Sequence, residues 1–94
     1  MSYVIVHHTV EDFARWKPFF DGDADVRRAH GSLGCQLMRG ADNPNEVVIV
    51  FKWDSVENAR QFTQMPALRE IMQQAGVVTM PDFYFLEEVD QGAA

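Results

Sequence analysis

The residues with most chemical reach are His8, a candidate catalytic base, and Trp53, Tyr84 and Arg39, candidate substrate-binding groups. A histidine with an ordinary pKa near ~6.5 can take a proton at neutral pH. Tyr84 offers a hydroxyl that can donate to a substrate oxygen. Arg39 can pair with an acidic group. Each also has a plain structural role open to it. His8 can end a strand and bond to backbone or solvent. Trp53 and Tyr84 can be core or interface aromatics, the usual fate of such residues. Arg39, near a hairpin, can simply be solvated.

Other candidates fall away on spacing. His7 and His8 are neighbours on a strand, so they point to opposite faces and do not chelate one metal together. His30 follows Arg27 and Arg28 at a helix end, where the dipole favours positive groups. Asp21-Gly22-Asp23-Ala24-Asp25 resembles the start of an EF-hand loop. That loop needs glycine at its sixth position and a bidentate glutamate at its twelfth, and Val26 and Ser32 stand there instead. Cys35 has no neighbouring cation in sequence, so a buried, inert thiol is expected. No phosphate-binding glycine loop, nucleophile elbow or HExxH motif occurs. The residues call for no metal and no cofactor.

The 94 residues suit one domain, expected over residues 1–89, with 90–94 as a loose tail. The net charge of -6 argues against a nucleic-acid partner and against docking on an anionic membrane. It leaves room for a small apolar or aromatic ligand. A single cysteine, no basic leader before an apolar run, and no long apolar stretch point to a cytoplasmic protein.

The elements that must position these groups read clearly. Glu46 to Asp54, EVVIVFKWD, is a strand with five apolar residues in unbroken sequence. Tyr3 to Val10, Leu33 to Arg39 and Asp82 to Val89 are the other strands. Asp12, or alternatively Thr9, caps a helix carrying Phe13, Trp16 and Phe20 on one face, interrupted between Pro18 and Gly22 and ending at Gly31. Asp54 or Ser55 caps a third helical segment. Pro66 starts a fourth, where Leu68, Ile71, Met72 and Ala75 match the helical template. The order β-α-β-β-α-β predicts an α+β, ferredoxin-like fold with a four-stranded antiparallel sheet. Three of the four strands read as apolar on both faces. Helices cover one face, and a second copy of the chain is expected to cover the other, as a homodimeric barrel. The candidate site residues would then reach a cavity inside that barrel.

VHHTVEDFARWKPFF, VRRAHGSLGCQLMRGADNPNEVVIVFKWDSVENARQF, LREIMQQAGV and FYFLEEV resemble the dimeric α/β-barrel superfamily, in particular its antibiotic-biosynthesis-monooxygenase-like group. The resemblance spans Tyr3 to Val89. It implies a homodimer and a cofactor-independent monooxygenase acting on an aromatic or polyketide-like compound, with a non-catalytic ligand-binding or accessory homodimer as the alternative. In the first case His8 would deprotonate a phenol or enol, and the anion would pass an electron to dioxygen in an apolar pocket. A haem-degrading branch of the superfamily uses an Asn, a His and a Trp. Here His8, Trp16 and Trp53 are present, but Asn43, Asn45 and Asn58 fall in a turn and at a helix start.

Overall fold

The computed structural model describes all 94 residues. Four strands, β1 (Ser2–Thr9), β2 (Ser32–Arg39), β3 (Glu46–Trp53) and β4 (Asp82–Glu87), form one sheet in the order β2-β3-β1-β4. Every pairing is antiparallel. Helices α1 (Phe13–Gly22) and α2 (Ala24–Ala29) connect β1 to β2. Helices α3 (Val56–Thr63) and α4 (Pro66–Ala75) connect β3 to β4. This is the expected ferredoxin-like α+β fold.

Local chemistry sets the boundaries. The Asp12 side chain accepts from the Ala14 amide at 3.0 Å and caps α1. The helix runs through Pro18 and breaks at Asp23, beyond the proline. Gly31 and Gly76 follow helix ends at φ +116° and +85°, a region L side chains rarely adopt. Ser55, not Asp54, caps α3 by accepting from the Asn58 amide at 3.1 Å. Pro66 occupies the first turn of α4, where its missing N–H costs nothing. Asn43 accepts the Glu46 amide at 3.1 Å across the β2–β3 turn.

Asn45 in that turn clamps the entry to α1. Its carbonyl accepts the Val10 amide at 2.8 Å, and its side chain accepts the Phe13 amide at 3.1 Å. Its amide nitrogen reaches the Glu11 carbonyl at 3.4 Å.

The helices pack on one face of the sheet. There Val4, Val6 and His8 of β1 and Val47, Ile49, Phe51 and Trp53 of β3 are buried, together with Trp16, Ala59, Phe62 and Ala75 from the helices. The alternate residues of β1 and β3 are only half-buried. Directly opposed residues share a face, so the register places Tyr3, Ile5, Val50, Tyr84 and Leu86 together on the uncovered side.

Several expectations need correction. Cys35 is exposed, because β2 is an edge strand that the short α2 leaves largely uncovered. The last strand stops at Glu87, short of Val89. Within one chain, a cavity lies between the helices and the sheet.

Candidate functional site

Along β1 the side chains alternate, and His8 falls in step with Val4 and Val6 on the helix-covered face. It is 3 % exposed. Its Nδ1 is buried with no hydrogen-bond partner. A buried nitrogen without a partner is uncommon, because leaving it unpaired costs the desolvation of that group. The imidazole stands edge-on to the indole of Trp16, with centroids 5.7 Å apart. Burial, reinforced by the neighbouring His7, lowers the His8 pKa from 6.5 to about 4. His8 is therefore a neutral imidazole at pH 7.

The cavity beside it measures about 60 Å³. Its wall is mostly hydrophobic, 14 of 18 residues, so polar chemistry is confined to His8, Asp23, Arg27 and Thr63. Trp16 stacks on Phe20 with centroids 5.0 Å apart, forming much of the helical side. Trp53 and Phe51 close the floor, edge to face at 5.7 Å.

Asp23 and Arg27 sit where α1 hands over to α2. Arg27 donates Nη1 to the Phe20 carbonyl at 2.7 Å, and its guanidinium lies 4.1 Å from the Phe20 ring centroid. Burial lowers the Arg27 pKa, against the pull of Cys35, Asp23 and Asp21. Burial likewise raises that of Asp23, while Arg27 and His30 act in the opposite direction. Both shifts disfavour the charged form of a group removed from water.

Of the four residues singled out from sequence, His8 and Trp53 meet in this cavity and Tyr84 and Arg39 do not. Trp53 contributes only its ring, since its indole N–H donates to the His30 carbonyl at 2.9 Å. Tyr84 pairs with Ile5 on the opposite face and is 53 % exposed. Arg39 lies at the end of β2, with its guanidinium 4.0 Å from the Phe13 ring centroid and Nε donating to the Pro44 carbonyl. His7 points to the uncovered face, between Glu46 at 3.2 Å and Asp82 at 3.6 Å. Asp21 and Asp25 form surface ion pairs with Lys17 and Arg28. Asn45 and Asn58 are engaged in backbone and carboxylate contacts outside the cavity. No three metal-ligating side chains come together.

Sequence reasoning missed Trp16, Asp23 and Arg27 as wall residues. Trp16 carried a signal, the spacing with Phe13 and Phe20 that aims it at the sheet. Arg27 carried none beyond its place near a helix end.

The site is thus an apolar cavity between sheet and helices that holds one buried imidazole nitrogen without a partner. The chain belongs to the antibiotic biosynthesis monooxygenase family, whose model matches residues 10–74. Among solved structures it is similar to SnoaB, a cofactor-independent oxygenase from Streptomyces nogalater, at 15 % identity and a TM-score of 0.78 over 99 % of this chain and 97 % of that one. A second is a crystal structure of an antibiotic biosynthesis monooxygenase, at 14 % identity and a TM-score of 0.71 over 96 % and 100 %. A third is Rv0793 from Mycobacterium tuberculosis, at 18 % identity and a TM-score of 0.70 over 98 % of both chains. Likeness at these identities establishes the fold. A search of curated proteins returned no match. No helix is long and apolar enough to cross a membrane.

Proposed function

We propose that the protein is a cofactor-independent monooxygenase acting on an aromatic or polyketide-like phenol or enol, with His8 as its base. The observation that carries this reading is the buried, unpartnered Nδ1 of a neutral histidine in an apolar cavity. Family membership and the likeness to a cofactor-independent oxygenase support it.

His8 takes the substrate's acidic proton. The anion transfers one electron to dioxygen, and the resulting radical pair joins through a new C–O bond. The peroxide takes the proton back from the imidazolium. Loss of water from the hydroperoxide, at a carbon that still bears hydrogen, breaks the O–O bond and leaves a carbonyl. One oxygen atom ends in the product and one in water, and the carbon supplies all four electrons. A dry cavity favours the first step by leaving the anion poorly solvated and reactive. The low pKa of His8 makes it a weak acceptor in the empty site. An anion formed beside it raises that pKa and holds the pair together.

The working unit is a homodimer in a reducing cytoplasm. The uncovered sheet face, with Ile5, Val50, Tyr84 and Leu86, supports pairing with a second copy. The exposed free thiol of Cys35 fits a reducing setting.

Oxygen uptake with naphthols, measured on wild type and His8→Gln, tests the reaction. Uptake that falls by about 100-fold or more in the variant is the expected result for a lost general base. Unchanged turnover would end the assignment of His8. Binding of naphthols without any oxygen uptake would favour a ligand-binding homodimer instead.

A further inference from the structure

The cavity beside His8 is far smaller than the substrate the proposed reaction requires. A volume of about 60 Å³ suits dioxygen or a few waters, whereas sites for ring-sized ligands run to roughly 300 Å³ or more. A groove of about 430 Å³ adjoins it, between α4 and residues 77–81. The two share Thr63, Leu68, Met72 and Phe83 as common wall. Phe83 pairs with Val6, two positions from His8 and roughly 7 Å away along β1.

The groove's outer wall is fastened to the residue next to the base. The Val78 amide donates to the Thr9 carbonyl at 2.9 Å, and the Thr79 hydroxyl accepts the Thr9 amide at 2.8 Å. Val77 also bridges to Val10. The wall thus holds a fixed position relative to His8. Arg69 is the only charged residue lining the groove, in a chain of net charge -6. No carboxylate of the groove competes for it.

We propose that this groove is the docking subsite for the body of the substrate, a phenolic or enolic aromatic bearing an acidic substituent. Arg69 receives the acidic group. The reacting edge passes Phe83 towards His8, and dioxygen occupies the smaller cavity beside it. The assignment rests on the monooxygenase reading for its chemistry and on the two adjoining cavities for its geometry.

The test uses 1-hydroxy-2-naphthoate and 1-naphthol, with binding followed by calorimetry under nitrogen and oxygen uptake followed in air. Arg69→Ala is expected to weaken 1-hydroxy-2-naphthoate by roughly fivefold, the scale of an exposed ion pair, and to leave 1-naphthol unchanged. Gln73→Trp, an exposed change on α4 that fills the groove, is expected to weaken both probes about tenfold or more. Wild-type affinity of both variants for both probes overturns the subsite, as does the absence of saturable binding to the wild-type protein. Oxygen uptake that ignores both substitutions removes the groove and leaves the reaction standing. Binding that responds to both, with no oxygen uptake, removes the reaction and leaves the groove.

Discussion

The imidazole of His8 meets the indole of Trp16 edge to face, with centroids 5.7 Å apart and planes inclined at 71°. One ring comes from the first strand and the other from the first helix. Between them they set the polarity of the cavity: an unpaired nitrogen held against a large apolar surface.

Stability should fall as pH drops from 6.5 towards 4. The folded His8 titrates near 4 and the unfolded one near 6.5, so the unfolded chain binds the proton first. The contribution is complete above pH 6.5 and is lost below it, by about 3 kcal/mol at most. Urea unfolding across that range measures it. His8→Leu should flatten this part of the profile and unfold no more easily at pH 7, because it removes an unsatisfied polar group. A slope identical in the two proteins would contradict the lowered pKa.

Turnover should keep its neutral-pH rate well below the ordinary histidine range. The free-enzyme pKa in kcat/KM should lie near 4 rather than 6.5. A pH-rate profile measured above the acid unfolding zone gives the answer. An acidic limb centred at 6.5 would assign the base elsewhere.

Gly31→Ala should cost about 1–3 kcal/mol. The residue sits at φ +116°, and an added Cβ would lie 2.7 Å from the Trp53 indole nitrogen. That nitrogen already donates to the His30 carbonyl. Thermal unfolding reports the loss, and Trp53 fluorescence should shift with it. A variant as stable as wild type would show that the chain re-routes around Trp53.

Val50→Glu should convert the proposed dimer of about 21 kDa, twice the 10.7 kDa chain, into a folded monomer. Val50 pairs with Ile5 on the uncovered face, so the charge faces outward and leaves the helix-side core alone. Light scattering distinguishes the two species. A wild-type monomer would remove the pairing argument.

The fold was legible because independent signals agreed. The run from Val47 to Phe51, the caps at Asp12 and Gly31, and the spacing of Leu68, Ile71, Met72 and Ala75 all led to the observed elements. The cavity was not legible, and the reason is parity. Tyr3 and Ile5 are as apolar as Val4 and Val6, so the sequence could not say which set faced the helices. The same ambiguity placed Tyr84 beside His8 in expectation, while Phe83 and Phe85 hold the helix side. Cys35 was misread because edge position is a property of the whole sheet, not of the residues around it.

Asn45 gives the β2–β3 connection a burden that hairpin tips seldom carry. Three of its polar groups hold Val10, Glu11 and Phe13, so the tip and the start of α1 form one joint. Surface hairpins are common places for lineages to gain or lose residues. Here a single inserted residue would withdraw Asn45 from the joint and tilt the helix that carries Trp16. An added residue is better borne past Gln91, beyond the contacts that tie Glu88 to Met1 and Tyr3.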